Sequence, residues 1–242
     1  MKSVLVIGES CRDIFVYCDA KRLAPDIPIP VLNVCDQTEN GGMAKNVYRN
    51  ILGIHSNCDI LTNSDWNNIT KTRYMHNASN HAFFRVDSSH AIRPLNLEEV
   101  CYDYDLIVIS DYDKGFLSTK QIEYICSNHS LVFLDTKKIL GDWANNASFI
   151  KINDYEYNNS KPFLSETLEK KIIHTQGGDG CVFRGKTYPV KKVDVRDTTG
   201  AGDTFMAALV VKYLQSDNIE QSIRFANKCA SSVVRKKGVA VI

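Results

Sequence analysis

Five short apolar runs, each suited to a buried strand, are separated along the chain by segments with helical spacing. Strands that are apolar on both faces, with helices between them, are typical of a parallel sheet covered on both sides. The alternation therefore predicts an α/β fold with a doubly wound, mostly parallel sheet flanked by helices. The runs are Val4–Ile7, Leu106–Ile109, Leu131–Leu134, Phe149–Ile152 and Ile172–Thr175.

The composition is that of an ordinary globular chain and argues against several classes of partner. The 242 residues are 44% hydrophobic and 24% charged, and the formal net charge is +1. Neither nucleic acid nor an acidic surface is indicated by this balance, and no apolar stretch approaches the ~18 residues that span a membrane. The eight cysteines include no Cys-x-x-Cys pair, which favours reduced thiols in a cytoplasmic protein over a disulfide framework or a zinc site.

The run 197–205, Asp-Thr-Thr-Gly-Ala-Gly-Asp-Thr-Phe, places a turn of small residues directly before an apolar helix. The peptide N–H groups at Gly200, Ala201 and Gly202 would point out of the helix start and, with the helix dipole, form an anion hole. Asp203 follows directly. An anion hole beside a carboxylate base is what phosphoryl transfer to an alcohol requires. The alternative is a tight turn whose Asp only caps the helix.

This run resembles the C-terminal signature of the PfkB/ribokinase family of carbohydrate kinases, and other motifs of the family occur in the same order. Segment 8–13, Gly-Glu-Ser-Cys-Arg-Asp, resembles the family's Gly-Asp-x-x-x-Asp, with Glu9 in place of the first Asp. Segment 41–46 resembles the sugar-binding Gly-Gly-x-x-x-Asn element. Segments 153–156 and 174–180 resemble Asn-x-x-Glu and Thr-x-Gly-x-x-Gly. The resemblance covers nearly the whole chain.

The resemblance implies a ribokinase-like single domain over residues 1–242, with a small β-sheet lid within about residues 12–40 and 73–90. It implies an enzyme that uses ATP and Mg²⁺ to phosphorylate a sugar or sugar phosphate, with neither nucleic acid nor membrane as partner. It also makes the lid a candidate interface for a homodimer.

Roles for individual residues also follow from the resemblance. Asp203 would be the general base, and Gly200, Ala201 and Gly202 the anion hole. Glu156 would coordinate magnesium, partly through water, because Mg²⁺ keeps several waters when bound to proteins. The sugar would be bound by Asp13, Gly41, Gly42, Asn46, Arg85 and Lys114, and the nucleotide by Asn153, Glu156, Thr175, Gly177, Gly178, Gly180 and Asn227.

Further segments resemble the D-glycero-β-D-manno-heptose 7-phosphate kinases within this family. They are Arg22–Val31, the Lys-Thr-Arg at 71–73, the Ser-Asp-Tyr-Asp-Lys-Gly at 110–115 and the Asp-Thr-Lys at 135–137. The resemblance implies transfer to the anomeric oxygen of a heptose 7-phosphate. Cations for the anionic substrate and ATP would come from Arg73, Arg85, Lys114 and Lys137, although a solvated basic face is the commoner role of any one of them.

Two other functions remain open. One is a PfkB kinase for another sugar, such as fructose, ribose or a sugar phosphate. The other is a shortened, inactive relative that binds sugar or nucleotide as a regulator. The chain is shorter than the family pattern between Gly53 and Lys71 and between Glu156 and His174, which favours the regulator. The intact Asp203 argues against it.

Overall fold

The computed structural model describes residues 1–79, 81–88, 90–236, 238 and 241–242. These residues form two β-sheets and six α-helices. The strands are β1 (Val4–Ile7), β2 (Ser10–Leu23), β3 (Pro30–Met43), β4 (Cys58–Leu61), β5 (Thr70–His76), β6 (Ala82–Asp87), β7 (Leu106–Asp111), β8 (Val132–Thr136), β9 (Phe149–Asn153), β10 (Ile172–Thr175), β11 (Cys181–Phe183) and β12 (Lys186–Tyr188).

The helices lie between strands or, in the case of α5 and α6, after the last strand. They are α1 (Ala44–Leu52), α2 (Thr119–Asn128), α3 (Asp154–Ser160), α4 (Glu166–Glu169), α5 (Ala201–Ser216) and α6 (Ile219–Val233). Short 3₁₀ turns lie at Trp66–Asn68, Leu97–Glu99, Asp142–Ala144, Lys161–Phe163 and Gly177–Asp179.

The larger sheet has eight strands in the order β12-β11-β10-β9-β8-β7-β1-β4. The six strands from β10 to β4 pair in parallel, whereas β11 pairs antiparallel with β10 and β12 pairs antiparallel with β11. All five predicted strand runs lie in this sheet. The prediction of a doubly wound, mostly parallel sheet is therefore confirmed.

Both faces of the larger sheet are buried. In β1, Val4 and Val6 join the core formed with α1, α5 and α6, whereas Leu5 and Ile7 join the core formed with α2. Successive side chains of a strand point to opposite faces, so a run that is apolar throughout needs a helical layer on each side. The apolar character of these runs is thus explained by the two layers.

The smaller sheet has four strands in the order β3-β2-β5-β6. It extends beyond the predicted lid segments, because β2 begins at Ser10, β3 continues to Met43 and β5 begins at Thr70. Asp13 on β2 lies opposite Asn40 of β3 and Lys71 of β5. The small sheet thus carries the glycine pair at 41–42 and the Lys-Thr-Arg segment as well as Asp13.

Two very short connections join the small sheet to the large one. Only Gly8 and Glu9 separate β1 from β2, and β3 ends at Met43, which directly precedes α1. Met43 has φ 61° and ψ −131°, a conformation that is costly for a side chain of this size. The backbone therefore turns sharply at both junctions.

Two features of the composition are reflected in the structure. All eight cysteines are free thiols, and six of them are buried, as the scattered spacing predicts. No helix in the described part of the chain combines the length and apolar character needed to cross a membrane.

Candidate active site

The predicted anion hole lies at the start of α5. Gly200 is the N-cap residue and has φ 79° and ψ 0°, a left-handed conformation that glycine adopts without strain. The N–H of Ala201 donates to the carbonyl of Thr198 at 3.2 Å. Asp203 lies in the first turn of the helix. The carboxylate is therefore beside the positive end of the helix dipole, where a negative charge is stabilised.

Asp203 is only 8% exposed, and both of its carboxylate oxygens accept hydrogen bonds. Asn46 Nδ2 donates to Oδ2 at 2.7 Å, and the Tyr112 hydroxyl donates to Oδ1 at 2.6 Å. Burial raises the pKa of Asp203, whereas the two hydrogen bonds and the nearby Lys151 ammonium lower it. The two donors thus hold the carboxylate in one orientation and favour its charged form.

A buried ion pair lies beside the start of α5. Lys151 Nζ is 2.6 Å from Asp135 Oδ2, and both side chains are nearly inaccessible. A Cβ atom at Gly202 would lie 3.1 Å from Lys151 Nζ, so glycine leaves space for the ammonium. A lysine ammonium close to a helix N-terminus is an arrangement suited to an anion.

The Asn-x-x-Glu motif begins α3 and closes its first turn. Asn153 Oδ1 accepts from the Glu156 N–H at 3.0 Å, and Glu156 Oε2 accepts from the Asn153 N–H at 2.8 Å. This is a capping box. Glu156 Oε1 accepts from Asn153 Nδ2 at 2.9 Å and also from Lys137 Nζ. Both oxygens of Glu156 are therefore occupied by protein donors.

A cavity of about 750 Å³ opens at the carboxyl edge of the parallel strands. Crevices at this edge are where ligands bind in open α/β sheets. One part of its wall is apolar and includes Val190, Val193, Val195, Ala230 and Val234. The cavity brings together eleven of the predicted residues: Lys137, Asn153, Thr175, Gly177, Gly178, Gly180, Gly200, Ala201, Gly202, Asp203 and Asn227.

The predicted sugar site lies where the small sheet meets α1. Asp13 is buried and forms an ion pair with Arg73 of β5. Burial raises the pKa of Asp13, and the Arg73 charge opposes that shift. A Cβ atom at Gly42 would lie 3.0 Å from the Asp13 Cβ, and one at Gly41 would lie 2.9 Å from the Lys45 Cβ. The glycine pair thus permits the close approach of β3 to β2 and α1.

Other predicted residues have structural contacts. Arg85 forms an ion pair with Asp87 at 2.8 Å on β6. Lys114 is exposed, and its backbone N–H donates to Glu9. Thr175 Oγ1 donates to the Ile152 carbonyl at 3.2 Å, and Asn227 Nδ2 donates to the Tyr188 carbonyl at 2.8 Å. Thr175 and Asn227 reach the cavity wall, whereas Arg85 and Lys114 are absent from it.

Sequence reasoning assigned no site role to Tyr112, Asp135 or Lys151 and left Glu9 doubtful. Tyr112 directly follows β7, Glu9 lies two residues beyond β1 and Asp135 is the penultimate residue of β8, so position at a strand end was the available signal for these three. Lys151 lies in the middle of β9 and carries no such signal. Glu9 is fully buried, and its Oε1 accepts the backbone N–H groups of Tyr112 at 3.1 Å and Lys114 at 2.8 Å. Glu9 therefore fixes the loop that presents the Tyr112 hydroxyl to Asp203.

A glycine-containing helix start, a buried carboxylate and a cavity at the edge of a doubly wound sheet are the features expected of a small-molecule kinase. Solved structures share the fold. Ribokinase from Thermotoga maritima superposes with a TM-score of 0.77 at 17% identity, covering 99% of this chain and 95% of that one. Phosphofructokinase-2 from Escherichia coli in complex with potassium gives 0.70 at 14% identity, covering 100% and 95%.

The profile of the pfkB family carbohydrate kinases matches residues 117–241, more than half of the chain. The chain belongs to this family and is a carbohydrate kinase.

Curated relatives named bifunctional protein HldE match the whole chain. The protein from Helicobacter pylori strain Shi470 is 30% identical over 100% of this chain and 64% of its own length. The protein from a Nitratiruptor species is 27% identical over 98% and 62%. The chain thus spans less than two thirds of these relatives. The first alignment runs over 302 positions against the 242 residues here, which agrees with the shortened segments that the sequence indicated.

The buried Glu9 predicts a specific dependence of stability on pH. Burial and the nearby Asp111 raise its pKa from the ordinary 4.5 to about 7, although the backbone N–H groups of Lys114 and of Glu9 itself and the Lys138 charge oppose the shift. Between these pH values the folded state holds a proton that the unfolded state releases, so rising pH favours unfolding. This destabilisation should reach up to about 3 kcal/mol above pH 7.

Glu9→Gln should remove that dependence, because an amide keeps the acceptor for both backbone N–H groups and carries no charge. We expect the free energy of unfolding of the variant to exceed that of the wild type at pH 8 but not at pH 4.5. Urea titrations of both proteins from pH 4.5 to 8 measure the difference. If the free energies of unfolding of the two proteins changed in parallel with pH, the pKa of Glu9 would be the same in the folded and unfolded states, and the prediction would be wrong.

Proposed function

We propose that this chain is an ATP-dependent kinase that phosphorylates the anomeric oxygen of a heptose 7-phosphate, with Asp203 as general base. The observation that carries the proposal is the position of Asp203. Its carboxylate is buried, lies at the anion-binding start of α5 and lines the large cavity. A base must lie within hydrogen-bond reach of the hydroxyl whose proton it takes.

The proposed transfer needs one base and several fixed positive groups. Asp203 accepts the proton of the sugar hydroxyl as that oxygen bonds to the γ-phosphorus, and the bond from this phosphorus to the bridging oxygen of ADP breaks. Lys151 and the N-terminus of α5 stabilise the negative charge on the transferred group. A carboxylate is a weak base, but in a loose transition state electrostatic stabilisation supplies most of the rate enhancement.

The cavity supports ATP as phosphoryl donor. Its volume of about 750 Å³ lies within the range of small-molecule sites. The glycine-containing segment 177–180 lines one side, and the valines of segment 190–195 offer an apolar surface suited to a nucleobase. The anion-binding start of α5 lies in the same cavity, where the phosphates would bind.

The donor groups present also fit a magnesium ion. Asp135 Oδ1 is buried without a hydrogen-bond partner among the described residues, and Asp135 lines the cavity. Such an orphaned oxygen requires an explanation, and Mg²⁺ binds through one or two carboxylates and substrate phosphates. We infer that Asp135 is the more available ligand, with Glu156 orienting Asn153 and Lys137. When bound, the ion would neutralise charge on the phosphates.

The surroundings of Lys71 support a sugar acceptor that already carries a phosphate group. Arg73 and Lys137 are paired with Asp13 and Glu156. Lys71 has no carboxylate within ion-pair distance among the described residues, and its Nζ lies 5.0 Å from the ring centre of Tyr112. Burial lowers the pKa of Lys71. An anion bound there would relieve that penalty. The similarity to the HldE proteins supports the same choice of substrate.

Replacing the base tests the central assignment. Asp203→Asn should lower kcat by on the order of 10²–10⁴, because the amide retains the shape and cannot take a proton. The matched control is Asp217→Asn at the other end of α5, where Asn tolerates the left-handed conformation. Steady-state kinetics and thermal unfolding of both variants provide the measurement. Near wild-type turnover in Asp203→Asn would refute the assignment.

The magnesium site is tested by two amide substitutions. We expect Asp135→Asn to raise the Mg²⁺ concentration for half-maximal activity by on the order of tenfold, because it removes a charged ligand. Glu156→Gln should have a smaller effect, since it chiefly weakens the Lys137 pair. Titrations of activity with Mg²⁺, and of Mn²⁺ binding by electron paramagnetic resonance, compare the two. A larger effect in Glu156→Gln would make Glu156 the principal ligand.

The substrate is tested by Lys71→Met. One charge-assisted contact to phosphate contributes about 1.5–3 kcal/mol, so kcat/KM for heptose 7-phosphate should fall by on the order of tenfold or more. The unphosphorylated heptose should be unaffected. Lys114→Met serves as the comparison, because Lys114 is one of the cations predicted from the sequence. Fructose 6-phosphate, fructose and ribose complete the panel. If a free sugar gives the highest kcat/KM, the heptose 7-phosphate assignment is wrong, and inactivity on every sugar would favour the regulator.

A further inference from the structure

A buried polar network connects α1 to the start of α5. Asn46 and Asn50 lie one turn apart on α1, and Asp203 and Thr204 are neighbours on α5. Asn50 and Thr204 are fully buried, and Asn46 is 2% exposed. Buried polar groups are costly unless each donor and acceptor is matched. The pattern of donors and acceptors therefore constrains how each amide can be oriented.

The orientation of Asn46 follows from its partners. An ionised Asp203 can only accept, so the group of Asn46 that faces it at 2.7 Å must be Nδ2. The other end, Oδ1, then faces Asn50 Nδ2 at 3.3 Å. If the Asn46 amide were reversed, its oxygen would face the carboxylate and its NH₂ group would face the NH₂ group of Asn50. Both contacts would be repulsive.

Asn50 is fixed in turn by backbone groups, which cannot reverse their roles. Its Nδ2 donates to the Asn46 carbonyl at 2.8 Å, and its Oδ1 accepts from the Ile242 N–H at 3.3 Å. The Thr204 hydroxyl donates to the same Oδ1 at 3.0 Å. A carbonyl on one side and an N–H on the other permit one orientation of the Asn50 amide.

We propose that Asn50 is a positioning residue of this kinase, which determines which end of the Asn46 amide faces Asp203. Because of Asn50, the Asn46 amide presents its NH₂ group, and not its oxygen, to the Asp203 carboxylate. The inference rests on the proposed role of Asp203 as base. It assigns Asn50 a function although Asn50 touches neither the carboxylate nor the cavity wall.

The electrostatic consequence is a shift in the titration of the base. A hydrogen bond donated to a carboxylate stabilises its charged form, and Asn46 lowers the pKa of Asp203 while burial raises it. Tyr112, Lys151 and Asp135 also face this carboxylate, and Asp13 and Lys137 act on it at longer range. None of these groups would be altered directly by a substitution at Asn50.

Asn50→Leu is the test, because leucine has a similar volume and cannot hold the Asn46 amide. The acidic limb of kcat/KM against pH, which reports the free enzyme, should move upward by on the order of half to one pH unit. Thr204→Val is the matched control. It removes one hydrogen bond from the same network, but Ile242 still fixes Asn50, so the limb should stay in place.

A double-mutant cycle separates positioning from general destabilisation. In an Asn46→Ala background, Asn50→Leu should move the acidic limb no further, since the amide through which it acts is gone. An unchanged limb in the single variant, or an equal shift in the Asn46→Ala background, would overturn the inference. If Asn50→Leu does not fold, Asn50→Ser is used in the same cycle, because serine cannot reach Asn46 Oδ1.

Failure of the proposed base gives a different result. If Asp203→Asn retains activity, the assignment of the base is wrong. If Asp203→Asn is inactive and the limb of Asn50→Leu coincides with that of the wild type, only the role of Asn50 is refuted. Thermal unfolding of each variant confirms that the proteins compared are folded.

Discussion

The architecture of the candidate site depends on burying the Asp203 carboxylate among groups that favour its charged form. A carboxylate taken out of water resists ionisation, so the fold surrounds this one with the start of α5, Asn46, Tyr112 and, further away, Lys151. Each of these groups needs support of its own. Glu9 fixes the backbone around Tyr112, and Asp135 pairs with Lys151. A single electrostatic requirement thus links residues of β8 and β9 with the segments that follow β1 and β7.

Much of the fold could be predicted from the sequence because its strands are apolar throughout. Such runs require a helical layer on each face, and the structure has both. The limits of the small sheet were less predictable. Its strands β2 and β3 are 14 residues long and pass through polar segments such as Asp36–Gly41. The alternation of apolar and polar residues is weak in β3, since much of this strand is exposed. The length of β3 is therefore set by its pairing with β2 rather than by burial.

The candidate site was predictable only where a motif is contiguous in sequence. The glycines at 200 and 202, the Asn153-to-Glu156 segment and the glycines of segment 174–180 are local patterns, and the structure places most of them around one cavity. Their side-chain partners come from other strands. The pairing of Lys151 with Asp135 depends on the register of β8 and β9. The contact of Tyr112 with Asp203 spans 91 residues. Neither contact can be predicted from the hydrophobic periodicity of a single segment.

The short junctions that join the small sheet to β1 and α1 leave few residues between this sheet and the candidate site. β1 reaches β2 through Gly8 and Glu9, and β3 passes into α1 at Met43, whose backbone is already strained. The first junction carries the carboxylate that holds the Tyr112 loop, and the second is three residues from Asn46. A rotation of the small sheet would therefore pull on both donors to Asp203 at once. The position of the small sheet and the surroundings of Asp203 are therefore expected to change together.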